Sequence, residues 1–236
     1  ITKVLLKNPR KIKSYLNATK EKIVRLRRHV TPLKVRRLRR LRNSQRSALS
    51  FTGKRALVYV IFESENRLQE YKLRFLQALS PLMDDVIVVV NGQLHVEDIN
   101  TLEPYGQVLT RDNKGYDTAA FREGIFALGK DKLKDYDQLF LVNDTNIGPM
   151  RDLFQVCQEM TDKHLDFWGI SFGEEQEDVT KENPYGYIPK HLQSYFLVIE
   201  KLMLNDDAFY EYWTHLTDTD SREKAIGRHE TRFTKY

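Results

Sequence analysis

The chain has 236 residues, 41% of them hydrophobic and 30% charged, enough for one domain with a buried core plus an appendage. Its longest aliphatic run, Val86 to Val90, falls far short of the roughly 20 apolar residues of a membrane-spanning helix. A single cysteine, Cys157, and six histidines that never fall at HxxxH spacing exclude an intrachain disulfide scaffold and the common zinc frameworks. The start shows no apolar signal core, so a cytoplasmic location is the expectation.

The net charge of +5 conceals a division of the chain. Residues 1–55 hold nineteen Lys and Arg against the single acid Glu21, a net of +18, whereas the remaining 181 residues carry 19 cations against 32 acids, a net of −13. Residues 1–52 read as a basic arm. Ile23, Leu26, Val30 and Leu33, then Val35, Leu38 and Leu41 beyond Pro32, recur at helical spacing among arginines and lysines, giving two amphipathic pieces broken at the proline. Such a helix suits an anionic membrane surface, with residues 1–50 as the contact and a peripheral position at the inner face of the plasma membrane. Nucleic acid is the competing polyanion, but the arginine-rich stretch holds no aromatic ring for base stacking.

Residues 53–236 read as a globular α/β domain. Buried strands are expected at Ala56–Phe62, Val86–Val90, Val108–Thr110 and Gln138–Val142, with helices over Asn66–Leu79 and Thr118–Leu128 between them. A helix near Leu153–Met160, strands at Phe167–Phe172 and Ser194–Ile199 and a helix over Ala208–Leu216 follow, separated by an acidic loop from Glu174 to Asn183. The alternation predicts a mostly parallel sheet with helices on both faces, and a ligand at the carboxyl ends of its strands.

No phosphate-binding glycine loop of either common type occurs. The literal G-x-S-x-G at Gly169–Gly173 leads into Glu174-Glu175-Gln176-Glu177-Asp178, not into the packed helix a nucleophile elbow requires. A serine esterase using Ser171 with Asp206 and His215 or His229 is therefore the weaker alternative. Two other segments are richer. Asn113-Lys114-Gly115-Tyr116-Asp117 places turn residues ahead of a helix, a geometry suited to a phosphate or a sugar. Asn143-Asp144-Thr145-Asn146 puts one carboxylate among short polar side chains past a buried strand, which suits a hard divalent cation, Mg²⁺ or Mn²⁺, that also binds a diphosphate.

The run Asn113-x-Gly115-x-x-x-Ala119-x-x-Arg122-x-Gly124-Ile125 resembles a stretch of the family 2 glycosyltransferases of GT-A fold. Together with Asn143-Asp144-Thr145, Gly148-Pro149, Phe167-Trp168-Gly169-Ile170 and His191-Leu192-Gln193-Ser194-Tyr195-Phe196, it is similar to the rhamnan synthesis protein F family over roughly residues 56–236. Arg122 stands where family 2 enzymes carry Asn, and Asn143-Asp144-Thr145 has one acid where their metal motif has two, which leaves weaker or metal-independent diphosphate binding as an alternative. The resemblance implies a GT-A-like glycosyltransferase, moving rhamnose or a similar hexose from a nucleoside-diphosphate sugar to a bacterial cell-surface or cell-wall polysaccharide on a lipid-linked carrier. It also implies Asp144 as metal ligand and diphosphate partner, and a late acid as general base. Glu230 is the first choice for that base and Glu223 the second. Asn113, Gly115, Asp117, Arg122, Asn143, Thr145, His191, Gln193 and Ser194 are the expected donor and sugar contacts. The nucleotide base is placed near Phe62-Glu63-Ser64, and the aromatics Trp168 and Trp213 in the core. A non-catalytic membrane-tethered scaffold is the other alternative. The chain starts at Ile1 and stops at Tyr236 just after a helical segment, as a piece of a longer enzyme would.

Overall fold

The structure is a computed structural model that describes residues 53–179 and 181–235; the basic arm over 1–52 lies outside them. The first half alternates strand and helix: β1 (Arg55–Glu63), α1 (Glu70–Leu79), β2 (Asp85–Gly92), α2 (Val96–Leu102), β3 (Gln107–Arg111), α3 (Tyr116–Leu128), α4 (Lys130–Leu133) and β4 (Gln138–Asn143). The second half is more broken, with α5 (Leu153–Thr161), β5 (Phe167–Gly169), β6 (Phe172–Gly173), β7 (His191–Leu192) and β8 (Phe196–Glu200). It closes with α6 (Lys201–Leu204), α7 (Asp207–Thr214), α8 (Arg222–Ala225), a π-helical turn at Ile226–Glu230 and α9 (Thr231–Phe233).

Six strands form one sheet in the order β3-β2-β1-β4-β8-β5. Strands β1 to β4 are mutually parallel, and β8 runs antiparallel to both β4 and β5. The mostly parallel sheet expected from the alternation is thus present, with one reversed strand that the sequence did not announce. β6 and β7 form a separate two-stranded ribbon. The strand expected over Phe167–Phe172 is split between the two sheets, because the chain leaves the main sheet at Ile170-Ser171, between β5 and β6. The helix expected from Asn66 starts only at Glu70, since Asn66 takes a left-handed φ of 57° that no helix propagates.

β1 explains the layering. Its side chains alternate between two buried clusters: Ala56, Val58 and Val60 pack on one face, while Leu57, Tyr59 and Ile61 pack on the other. The first face is covered by α3 through Ala120, Phe121 and Ile125 and by α7 through Phe209 and Trp213. The second is covered by α1 through Phe75, Leu76 and Leu79 and by α5 through Cys157. A strand buried on both faces reads as a continuous apolar run, which is why β1, β2 and β4 were plain in the sequence. Trp168 and Trp213 are both 3% exposed and belong to these clusters. Among the described residues no helix is long and apolar enough to cross a membrane.

Helix α3 lies directly on β1 at one glycine. A Cβ on Gly124 would sit 2.3 Å from Cγ1 of the fully buried Val58. Alanine is the better helix former by about 1 kcal/mol, but overpacking a stiff β-branched neighbour costs about 1–3 kcal/mol. Gly124→Ala is therefore expected to lower the thermal unfolding midpoint, and a raised midpoint would show that α3 can lift from β1 without cost.

Candidate active site

The carboxyl ends of β1 and β4 open into a cavity of about 670 Å³. Strand ends, loops and helix termini build its wall. Phe62 comes from β1, Asn143 closes β4, Asn113, Tyr116, Asp117 and Thr118 come from the turn into α3, and Asp144 and Thr145 follow β4. Because β8 runs antiparallel, its entry rather than its exit lies at this end, and brings Gln193, Ser194 and Tyr195 into the wall. Arg222, Ala225, Ile226 and Glu230 complete it from α8 and the π-helical turn.

Local sequence shapes the wall. Gly115 adopts φ +76° as the N-cap of α3, and Tyr116 follows in the cavity wall at φ 56°, a left-handed conformation that costs a bulky residue strain. Arg111, at the end of β3, donates to the Lys114 carbonyl and to Asn91 Oδ1, fastening this loop to the sheet edge. Asn143 bridges the two halves of the motif: its Nδ2 donates to Asp117 Oδ2 at 2.7 Å, and its Oδ1 accepts from the Thr145 amide at 3.1 Å. Asn146, 9% exposed, ties the same turn to the Tyr195 carbonyl at 2.7 Å. The run Asn143 to Asn146 is therefore a turn cross-linked by its own amides to both α3 and the entry of β8.

Eight of the expected site residues line this cavity: Asn113, Asp117, Asn143, Asp144, Thr145, Gln193, Ser194 and Glu230. They come from four separate stretches of the chain. Glu230 accepts a short hydrogen bond from Ser194 Oγ and has a side chain 21% exposed. Three expected contacts fall elsewhere. Gly115 is the helix cap just described. Arg122 points away and donates to the Leu216 carbonyl at 2.7 Å and to Asp218 Oδ1 at 2.6 Å. His191 is 6% exposed, its Nδ1 donating to the Pro189 carbonyl at 2.8 Å and its Nε2 lying 4.0 Å from Glu230 Oε1, and it does not line the cavity. Glu223 is exposed on α8 and outside the wall.

The model of the family described as Rhamnan synthesis protein F matches residues 86–236. The chain belongs to that family. "Uncharacterized protein y4gN" of Sinorhizobium fredii (strain NBRC 101917 / NGR234) is 28% identical to it over 184 residues, which are 75% of this chain and 44% of that relative. The chain thus spans less than half the length of that curated relative. Among solved structures, core-mannan synthase A of Aspergillus fumigatus in its Mn/GDP form aligns with a TM-score of 0.33 and 12% identity, over 82% of this chain and 70% of its own.

Within this rhamnan synthesis F domain, the metal expected at Asp144 meets a difficulty. Asp144 Oδ2 already lies 2.7 Å from the Lys72 ammonium and accepts from the Phe62 amide at 2.9 Å. Among the described residues no group of three or more His, Cys, Asp or Glu could hold a metal ion. The residues do not fit a divalent cation held by the protein at Asp144. The esterase alternative also fails on geometry. Ser171 Oγ donates to Gln193 Oε1 at 2.7 Å and contacts the Tyr195 hydroxyl, while His215 Nδ1 donates to the Glu211 carbonyl and His229 Nε2 to the Thr217 carbonyl. Among the described residues no histidine is hydrogen-bonded to that serine. A smaller cavity of about 300 Å³, between Tyr212, Arg228 and His229, holds none of the expected site residues.

Sequence reasoning missed Tyr116, Thr118, Tyr195 and Arg222 in the wall and Lys72 beneath it. Lys72 had a legible signal: with Phe75, Leu76 and Leu79 it occupies one stripe of α1 at helical spacing, a lysine at an apolar position. Arg222 had none, since only the fold brings α8 to the strand ends.

Burial pushes the Asp117 carboxyl above the ordinary aspartate range, against the lowering effect of its Asn143 hydrogen bond, and the charges of Asp144 and Glu230 push it the same way. The folded state therefore holds that proton more tightly than the unfolded chain. Asp117 destabilises nothing below its ordinary value of 3.8, and costs progressively more as pH rises through the folded value. Asp117→Asn keeps an oxygen for the Asn143 amide, so thermal unfolding as a function of pH should show a stabilised variant at pH 7 whose advantage disappears on acidification. A variant less stable than the parent at pH 7 would mean that the carboxylate charge is balanced in the fold.

Proposed function

We propose that this chain is the catalytic domain of a glycosyltransferase of polysaccharide synthesis, with a GT-A-like arrangement, that transfers rhamnose or a similar hexose from a nucleoside-diphosphate sugar to a growing saccharide. The observation that carries the reading is the placement of Glu230, oriented by Ser194, across one strand-end cavity from Asp117, Asn143 and Asp144, inside the stretch that matches the rhamnan synthesis F family. Transfer with inversion needs three things of a site: a base for the acceptor hydroxyl, partners for the leaving diphosphate, and a wall that keeps water out.

Glu230 is assigned the base. Because Ser194 donates to Oε2, that oxygen is held as an acceptor and Oε1 is left to receive the acceptor's proton. The acceptor oxygen then bonds to the anomeric carbon as the bond from that carbon to the diphosphate breaks, and the diphosphate leaves with the electron pair. Among the described residues Arg222 is the one Lys or Arg in the cavity wall, which makes it the partner assigned to the diphosphate. Asn113, Thr118, Thr145 and Gln193 supply hydrogen bonds to sugar hydroxyls, and Phe62, 42% exposed at the end of β1, offers a ring to the nucleotide.

Glu230→Gln is expected to keep donor binding, since the base faces the acceptor, and to lower the transfer rate by about 100- to 10,000-fold. Loss of donor binding in this variant would move Glu230 into the nucleotide-sugar pocket and leave the base unassigned. Thermal stabilisation by a panel of nucleoside-diphosphate sugars measures binding directly. No response to any donor would favour the non-catalytic scaffold.

The basic arm supports a further element of the reading, a peripheral position at the inner face of the plasma membrane beside a lipid-linked acceptor. Its net charge of +16 over residues 1–52, 17 Lys and Arg against Glu21, is attraction that salt screens, with a Debye length of about 3 Å at 1 M. The intact chain should bind anionic vesicles at low salt and leave them at high salt, and removal of residues 1–50 should abolish the binding. Equal vesicle binding with and without the arm would exclude it as the tether.

A further inference from the structure

Beneath the cavity floor lies a fully satisfied ammonium. Lys72 Nζ sits 2.7 Å from Asp144 Oδ2, 2.9 Å from Glu63 Oε1 and 2.6 Å from the Phe62 carbonyl oxygen. An ammonium has three N–H donors, and each finds an oxygen. Lys72 and Glu63 are both 4% exposed. The three oxygens come from the ends of β1 and β4, which are neighbours in the sheet, and the Lys72 backbone is held in turn by the Tyr59 hydroxyl, which donates to its carbonyl at 3.1 Å. Glu63 also accepts from the Gln69 amide at 3.1 Å, so neither carboxylate can swing away without losing a second partner.

These are the distances of an ammonium among oxygens. Two carboxylates and a carbonyl surround the Lys72 ammonium, so its charge is compensated where it is buried. A divalent cation at Asp144 would have to displace this ammonium or stand beside it, and like charges a few ångströms apart in a partly buried site repel by several kcal/mol.

We propose that the Lys72 ammonium occupies the cation position of this site, so that the chain itself supplies the charge balancing Asp144 and holds no divalent cation there. Lys72 does not line the cavity; it is a positioning residue that acts through Asp144. Glu63 and Lys72 both precede residues 86–236, the stretch the family model matches. The consequence for catalysis rests on the sugar-transfer reading above: the diphosphate is then met by Arg222 and neutral donors, not by a metal on Asp144. The occupancy of the cation position does not rest on that reading.

Mn²⁺ alone is the probe, with its free concentration read from the paramagnetic resonance signal of the full chain in solution. The parent should leave as much Mn²⁺ free as Asp144→Asn does. Lys72→Met removes the ammonium and leaves the Glu63 and Asp144 carboxylates facing one gap; it should bind one Mn²⁺ at least tenfold more tightly than the parent. The double change Lys72→Met with Asp144→Asn should lose that gain. Mn²⁺ bound by the parent and released by Asp144→Asn would overturn the proposal. So would a folded Lys72→Met variant with no gain in Mn²⁺ affinity. Should Lys72→Met fail to fold, the comparison of the parent with Asp144→Asn decides: equal signals uphold the proposal and a loss specific to Asp144→Asn sinks it. A failed nucleotide-sugar screen would overturn the sugar-transfer reading and leave the Mn²⁺ result standing.

Discussion

The parallel pairing of β1 with β4, both buried on their two faces, is the constraint from which the rest of the molecule follows. Along β1 every residue from Ala56 to Ile61 is fully buried, so no polar side chain can stand there without an internal partner. Polar chemistry is pushed to the points where the strands stop. Phe62, Glu63, Asn143 and Asp144 occupy those points on adjacent strands that run the same way, and so converge at one edge. Buried carboxylates at such a place need a cation, and Lys72, reaching up from the apolar face of α1, is that cation.

The reversed strand β8 gives the cavity its second wall. In a wholly parallel sheet the entry loop of that strand would lie at the opposite end, far from Asp144. Running antiparallel, it delivers Gln193, Ser194 and Tyr195 to the carboxyl ends of β1 and β4, and the Asn146 amide clasps it there through the Tyr195 carbonyl. Ser194 then meets Glu230, which the π-helical turn carries in from the C-terminal helices. Ser194 and Glu230 thus both come from the second half of the chain, whereas Lys72, which holds Asp144 at the end of β4, and its other partner Glu63 come from the first.

His191 and Arg122 show that a residue in a ligand-like motif can bond inside the fold and stay out of the cavity wall. Each occupies a motif that points to ligand contact, yet each is turned inward. His191 packs on Gly173, where a Cβ would come within 2.7 Å of the ring, and its Nδ1 bond to Pro189 fixes the ring so that Nε2 faces Glu230. Arg122 binds the chain between α7 and α8 through the Leu216 carbonyl and Asp218.

The α/β class, the strands β1, β2, β3 and β4, the helices that end at Leu79 and Leu128, though not their first residues, and the turn residues around Asn113 and Asn143 were legible in the sequence, because each is written in local periodicity and turn chemistry. The split charge of the chain was legible too, since charge is a matter of composition. The direction of β8 was not, because an apolar run reads the same in either direction. Nor was the role of Asp144. In the sequence it is a lone acid in a polar turn, open to a metal; its partner is sixty or more residues earlier, on a helix whose lysine looks like surface until the stripe it shares with Phe75, Leu76 and Leu79 is folded against β1. Arg222 and Glu230 likewise became site residues only when the C-terminal turn packed across the strand ends. Local order is decided by neighbours within a few residues. The charge balance of a buried site depends on which distant groups the fold brings within hydrogen-bond reach, and only the tertiary structure decides that.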